Sequence, residues 1–516
     1  MPSFLRTLVN SIGINPVGWI RNTARMRAMV SDFDAQPTGA ANGNAHFLVV
    51  ITPWLGTSVP WYTLALGLLL AKNGNKISFV IDDFPFGNSK LRYRFVLGCL
   101  RSVMRRLRRQ YEVIDLSSLK VNQTLEAAAK ATVTRLARLN AVWQLKGEML
   151  EAGRKKYTAR CIDQLSAAYN PIASILRPGA FDVVLIPGGV YSTSGIWAEV
   201  ARAAGIRIAS FDGGSYGTVM IATNGIACHL QDIPVAFSTL KSRCANPAER
   251  AFVLGAAQAE MERRRAGVDT FASQIKGSDG GDDRYNGAVL LALNSSWDAA
   301  ALGLQAVFKD NSQWIVETTR YLLAHTTAPV IVRQHPAERL NIARTSDDYR
   351  LLLQKNFGSE PRLHFIAADE TINSYALLDR VAVVVAYTST IGIEAAALGK
   401  PVITASNSYY SNLGFVWQAS ALDQYNSLLS KGAQSLLRVT SEMREDAFLC
   451  FYITQCCNWV FTSFNPAEFS LWSARGLTSL RSDVKVQMIC ESFRDNVPIS
   501  ILTHSGFICN RGAISI

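Results

Sequence analysis

AVVVAYTSTIGIEAAALGKPVITAS, residues 382–406, changes its pattern three times within one short stretch. The apolar, β-branched run Val383-Val384-Val385 predicts a buried strand. Thr388-Ser389-Thr390 then places three hydroxyls at the start of a helix. That helix continues through Glu394-Ala395-Ala396-Ala397-Leu398 and stops at Gly399. Pro401-Val402-Ile403-Thr404 opens a second buried strand. A strand, a hydroxyl-bearing loop and a helix in this order present N–H groups and a positive helix end at the carboxyl edge of a sheet. Such an edge suits an anion, for example the phosphate of a nucleotide. Glu394, about one turn inward from Thr390, is placed to meet a ribose diol. The same stretch also fits an ordinary βαβ unit whose hydroxyls do no more than cap a helix.

Around this stretch lie 516 residues, too many for one typical core, so two or three domains are expected. Hydrophobic residues make up 49% and charged residues 18%, which excludes a disordered chain. The formal charge of +12 calls for an anionic partner: nucleic acid, an acidic membrane surface or a phosphorylated substrate. The nine cysteines are scattered, with only Cys456 and Cys457 adjacent, and the six histidines are as dispersed. This spacing argues against a zinc site and a secreted disulfide framework, so no metal is expected and a reducing cytosol is the default. The N-terminal stretch lacks the apolar core of a secretory signal. The longest apolar run, around Tyr62–Ala71, falls short of a bilayer span, so a soluble or peripheral protein is expected.

Residues 1–44 read as a basic leader and 45–277 as an N-terminal, acceptor-side Rossmann-like domain. In the latter, HFLVVIT (46–52) and KISFVI (76–81) are strands joined by a helix over 61–73, a βαβ unit. Strands at 182–186 and 206–211 flank another helix. SDGGDD (278–283) opens a polar linker over 278–285. The pattern restarts in a second Rossmann-like domain over 286–440, with strands at 288–293, 330–332 and 363–366 and helices near 297–308 and 312–325. Residues 441–516 form a C-terminal helical extension, for which packing back on the N-terminal domain is one option. The fold class is α/β.

Several loops follow strand ends, where open α/β sheets bind ligands. Val330–Pro336 ends in Arg333, Gln334, His335 and Pro336. Alternation puts Arg333 and His335 on one face, where an imidazole can donate to a leaving phosphate and a guanidinium can neutralise it. Asn294 and Ser295 follow the first strand of the second domain and are candidates to line a nucleotide pocket. In the first domain Asp212 sits at a strand end within a loop that continues through Gly213 and Gly214, and is the best-placed base for an acceptor hydroxyl; an Asp-Gly turn is the plainer reading. Gly188-Gly189 and Gly56-Thr57 are further close-approach loops on that side. None of these is a GxGxxG or Walker loop.

Phe86–Gln110 contains eight Lys or Arg residues and no acid. Leu91, Phe95, Cys99, Val103 and Leu107 recur every fourth position, giving an apolar face with basic flanks. That combination suits an anionic membrane surface, and no aromatic-interleaved RNA motif accompanies it.

Asp212-Gly213-Gly214, His335-Pro336 and Thr388-Ser389-Thr390 together resemble the three-part pattern of bacterial sialyltransferases and related capsule-polysaccharide glycosyltransferases of the GT-B type. Glu394 through Val402 is similar to the EA…GKPVI stretch of many GT-B enzymes. One position departs from the pattern: Phe211 stands where those families have a first acidic residue. The resemblance implies two Rossmann-like domains facing a cleft and a nucleotide-sugar donor held on the C-terminal domain. A CMP-activated sugar such as sialic acid or Kdo is favoured. It further implies transfer to a surface-polysaccharide or lipid-linked acceptor, with Asp212 as base, His335 at the donor phosphate and no cofactor or metal. A cytoplasmic enzyme, peripheral on the inner face of the plasma membrane and binding no nucleic acid, is the corresponding expectation. A nucleotide-sugar 2-epimerase of the same fold and a non-catalytic polysaccharide-export binding protein are the alternatives.

Overall fold

The apolar, β-branched runs expected at 46–52, 76–81, 330–332 and 383–385 form strands, and the described strands build two sheets. The computed structural model describes residues 15–34, 45–54, 57–84, 90–119, 121, 123–149, 151–213, 217–267, 283–295, 302–340 and 344–512. The leader before residue 15, Gly56, Gly214 and most of the expected linker lie outside these residues. The chain divides into two units: residues 1–137, 159–232 and 457–516 form the first, and residues 138–158 and 233–456 the second.

The first unit begins with helix α1 (Pro16–Asp34), strand β1 (His46–Ile51), α2 (Val59–Lys72), β2 (Lys76–Ile81), α3 (Lys90–Leu107) and β3 (Glu112–Asp115). After the helices that follow come β4 (Val183–Pro187), α4 (Ser194–Ala203), β5 (Arg207–Gly213) and β6 (Thr218–Ala222). Strands β3-β2-β1-β4-β5 are parallel and adjacent in that order, and β6 returns antiparallel to β5. Phe47, Val49 and Ile51 of β1 join Ile77, Phe79 and Ile81 of β2 in a core closed by α1, α2 and α3. Alternation sends Leu48, Val50 and Thr52 to the opposite face. α2 is buried along its whole length, which accounts for its apolar run.

α3 departs from the expected docking face. Val96, Leu100, Val103, Met104 and Leu107 point into the core, while Leu91 is 80% exposed. Of the fourfold stripe, Val103 and Leu107 are buried and Phe95 and Cys99 partly so; with Val96, Leu100 and Met104 they form the inward face of a surface helix, whose burial removes the apolar area from water. Asp212 is likewise not in a flexible loop: it lies within β5, opposite Met220 of β6.

The second unit contains α5 (Pro247–Arg265), β7 (Val289–Ala292), α6 (Asn311–His325), β8 (Val330–Arg333), β9 (Leu363–Ile366), β10 (Val383–Ala386), α7 (Ile391–Ala397), β11 (Val402–Thr404), β12 (Trp417–Gln418) and α8 (Ser441–Tyr452). Its six parallel strands lie in the order β12-β11-β10-β7-β8-β9. The helix expected near 297–308 does not extend over its described part. Gly303 turns with φ +72°, Gln305 bridges to Ser406, and the Ala306 and Val307 amides donate to Ala405 O. These sheet-edge hydrogen bonds replace helical ones. α7 packs on α8, and a buried aromatic set (Trp314, Tyr387, Tyr425) fills the face under α6. The final stretch returns to the first unit, where β13 (Val460–Phe461) adds antiparallel to β6 and α9 (Phe469–Arg481) packs on α1 and α2.

Close packing of α2 on β1 and β2 gives a direct test. A Cβ at Gly67 would lie 2.7 Å from the Phe79 ring and 3.2 Å from a Val49 methyl. Overpacking costs about 1–3 kcal/mol and outweighs the helix-propensity gain of up to about 1 kcal/mol. Gly67→Ala is therefore expected to lower the denaturation midpoint of the first unit, read by urea unfolding; an unchanged or raised midpoint contradicts this packing.

Candidate functional site at the carboxyl edge of the second sheet

Counting from β7, the second sheet runs β7, β8, β9 to one side and β10, β11, β12 to the other, the 3-2-1-4-5-6 order of dinucleotide-binding sheets. The crossovers change direction between β7 and β10, so a crevice opens beyond the carboxyl ends of these two strands. Asn294, two residues past β7, and Thr388, two past β10, meet there: the Thr388 amide donates to Asn294 Oδ1 at 3.2 Å.

His335 follows β8 on the other side of β7. Its Nδ1 accepts the Ala337 amide at 3.2 Å and caps the short 3₁₀ turn Pro336–Arg339, with Pro336 at the first position, where no N–H is needed. An Nδ1 that accepts leaves the ring proton on Nε2. Burial, and then the Arg333 charge, push the imidazole down to about 4. His335 is therefore a neutral hydrogen-bond donor at physiological pH, not a protonated acid.

Arg333 is committed elsewhere. Its Nη1 donates to Ala367 O at 2.6 Å and its Nη2 to Ile372 O at 3.1 Å, tying the segment after β9 to β8. Burial pushes the guanidinium down to about 10. Ser295 hydrogen-bonds to Glu338, whose Oε2 also accepts from Gln334 Nε2 at 2.8 Å. Glu338 thus joins the ends of β7 and β8, and burial pushes its carboxyl up to about 7.

The hydroxyl loop does not simply cap α7. Thr390 holds the cap position without a side-chain capping bond, and its hydroxyl pairs with Tyr409 instead. Ser389 O accepts the Tyr410 hydroxyl at 3.0 Å. A Cβ at Gly392 would lie 2.6 Å from that hydroxyl, so glycine lets α7 start against Tyr410. Glu394 is buried and turned toward α5, where Oε1 pairs with Arg264 Nη1 at 3.0 Å; Arg264 also holds Glu260 at 3.1 Å.

In the first unit, Asp212 is half-buried and its Oδ1 accepts the Gly213 amide at 2.8 Å. Gly188 and Gly189 follow β4, where the Gly188 amide donates to Phe211 O at 2.8 Å, with φ +68° and +124°. A Cβ at Gly189 would come within 2.4 Å of Ile226, so only glycine fits. Thr57 is exposed.

Two features of these edges escaped the sequence reading. Asp82, just past β2, is 1% exposed; its Oδ2 accepts the Thr193 hydroxyl and the Trp197 indole N–H, and burial pushes it up to about 6. Asp82 Oδ1, Thr52 Oγ1, Trp54 Nε1 and Ser194 Oγ, all at the carboxyl edge of the first sheet, are buried without a well-formed hydrogen bond among the described residues. Buried polar atoms of this kind are satisfied by water or by ligand hydroxyls. The Asp82-Asp83 pair closing a strand was the available signal. The second feature is the Gly147–Met149 segment, part of the second unit. Its Glu148 and Met149 amides donate to Asp347, while Glu148 Oε2 accepts the Asn311 amide at 2.9 Å. Burial, then Asp310 and Asp347, push Glu148 up to about 8. Among the described residues, no three His, Cys, Asp or Glu side chains are grouped to hold a metal ion.

Residues 315–442 match the family described as capsule polysaccharide biosynthesis protein. The matched span runs from α6 to the start of α8 and includes Arg333, His335, Pro336, Thr388–Thr390 and Glu394. Among solved structures, a KpsC beta Kdo 2,4 transferase from Thermosulfurimonas dismutans is 15% identical, covering 58% of this chain and 88% of that one at a TM-score of 0.34. UDP-GlcNAc 2-epimerase from Neisseria meningitidis bound to UDP-GlcNAc is 14% identical over 80% of this chain and 99% of its own, with a TM-score of 0.28. A glycosyltransferase from Rickettsia africae is 10% identical over 87% and 98%, with a TM-score of 0.29. No curated protein matches the chain significantly.

Glu148 supplies a pH test. Its carboxyl sits at 4.5 in the absence of the fold and at about 8 within it. Between these values the native state holds a proton that the unfolded state has released, so this group's contribution to stability falls as pH rises through the window. His335, lowered from 6.5 to about 4, works oppositely and costs stability as pH falls below about 6.5. Glu148→Gln keeps an acceptor for the Asn311 amide and removes the titration. Urea unfolding at pH 5.5 and pH 8 is expected to show the variant gaining on wild type at the higher pH, on the order of 1–4 kcal/mol. An identical pH difference in both proteins contradicts the burial of this acid.

Proposed function

We propose that the protein is a metal-independent glycosyltransferase of capsule-polysaccharide assembly. It moves a sugar from a nucleotide-sugar donor, CMP-activated such as sialic acid or Kdo, to a glycan or lipid-linked acceptor. The observation that carries this reading is the meeting of Asn294, Thr388–Thr390 and neutral His335 on one sheet edge, at the reversal of strand order, within or beside the span that matches the capsule family. The donor phosphate would lie against the hydroxyl loop and the start of α7. As the glycosidic bond to the leaving phosphate breaks, negative charge grows on its oxygens. His335 Nε2–H and the Thr388–Thr390 loop stabilise that charge as preorganised donors, without passing a proton. Asp212, on the carboxyl edge of the first sheet beside Gly188 and Gly189, would take the proton of the acceptor hydroxyl. Enzyme location on the cytoplasmic face of the plasma membrane accords with a lipid-linked acceptor.

A thermal-shift screen of the whole protein against CMP, UDP, GDP and dTDP tests the donor class. A ligand at a hundred times its dissociation constant stabilises its binding state by about 2.7 kcal/mol. CMP is expected to give the largest shift, abolished in Ser389→Ala/Thr390→Ala; no shift with any nucleotide contradicts the reading.

His335→Ala is expected to lower turnover about 100- to 1000-fold with an unchanged melting temperature, as removal of one preorganised donor does elsewhere. Because His335 stays neutral, the rate of the wild type should show no ionisation near pH 6.5 on its account. Near-normal turnover in the variant contradicts this role.

A further inference from the structure

Three helices of the first unit start at the same rim. α2 follows β1, so it begins at the carboxyl edge of the sheet and runs back along it. α1 lies alongside in the same direction: Trp19 near its start packs on Trp61 at 5.5 Å between ring centroids, and Phe33 near its end meets Lys72 Nζ at 5.6 Å. α3 also starts there, since the Tyr93 hydroxyl donates to Asp82 O and Phe84 O just beyond β2, each at 2.8 Å. At this shared rim Val17 is 59% exposed, Ile20 58% and Leu91 80%. Arg21 and Arg94 are exposed beside them. No acidic residue occurs in α1 before Asp32 or anywhere in α3. At the opposite end of α3, Arg108 is held by Asp115, and farther along the same helix Arg101 pairs with Asp83.

Large apolar tips among arginines that have no acidic partner among the described residues fit one kind of partner, an anionic bilayer whose headgroups meet the cations while the tips enter the acyl boundary. No described helix is long and apolar enough to cross a membrane. We propose that the carboxyl-edge rim of the first unit, formed by Val17 and Ile20 of α1 and Leu91 of α3 with Arg21 and Arg94, docks the protein on an anionic phospholipid surface. The proposal rests on the functional reading only for its purpose: Asp212, Gly188 and Gly189 lie on the same sheet edge, so docking there brings a lipid-linked acceptor to the residues assigned to it.

The test is co-sedimentation of the full chain with vesicles of phosphatidylglycerol and phosphatidylcholine in equal parts, against vesicles of phosphatidylcholine alone. Wild type is expected to sediment with the anionic vesicles only, less so at high salt. Val17→Ser/Ile20→Ser/Leu91→Ser should lower the partition coefficient at least about 10-fold, and Arg21→Gln/Arg94→Gln by about 10- to 30-fold. Arg105→Gln/Arg109→Gln, toward the other end of α3, should leave it unchanged. All five rim positions are exposed, and equal melting temperatures verify the fold. Absence of wild-type binding at low salt overturns the proposal, as does wild-type partition in the Ser variant or an equal loss from the Arg105/Arg109 pair. The nucleotide shift, read on the same samples, separates the two claims: vesicle binding without any nucleotide response leaves the surface standing and removes the enzymatic reading.

Discussion

The reversal of strand order between β7 and β10 is the constraint on which the second unit's chemistry depends. Right-handed crossovers put β8 and β9 on one side of β7 and β10 to β12 on the other. The two connections leaving the centre must then diverge, and a crevice opens where they part. Asn294 spans that parting by holding the Thr388 amide. The hydroxyl loop is thereby fixed relative to the neighbouring strand, and His335, one strand further, is fixed by its own backbone cap. Three short segments far apart in sequence become one edge without a long-range salt bridge between them.

Charge at this edge is managed by burial. His335 is held neutral, which makes it a donor at every physiological pH, and Glu338, three residues on, is pushed up to about 7. Arg333 spends its cation on backbone carbonyls, and Glu394 spends its charge on Arg264. Dipoles and neutral donors therefore dominate around the hydroxyl loop, a setting in which the charge of the proposed donor phosphate would meet preorganised donors.

The strands and the sheet edge were legible because β-branched runs and the residues just after them obey local rules. HFLVVI, KISFVI and AVVVA each announce a buried strand, and hydroxyls after AVVVA announce a loop at a helix start. What stayed illegible depends on contacts distant in sequence. The fourfold apolar spacing of α3 is the same whether that face meets lipid or α1, and only the fold shows that Phe95, Cys99, Val103 and Leu107 meet the core while Leu91 stays exposed. Nothing in LKGEML marks Glu148 as a member of the second unit, since its partners Asn311 and Asp347 come more than a hundred residues later. Asp82 could be seen as an acidic pair closing a strand, but not its burial against Thr193 and Trp197. Gly213 and Gly214 suggest a loop around Asp212, but pairing with β6 extends the strand through it.

The most direct test of the account is a crystal structure of the protein grown with the nucleotide that stabilises it most. The phosphate is expected beyond the carboxyl ends of β7 and β10, within hydrogen-bonding distance, about 3 Å, of the Thr388–Thr390 loop and of His335 Nε2. A nucleotide bound with its phosphate away from these groups, or on the sheet of the first unit, would contradict it.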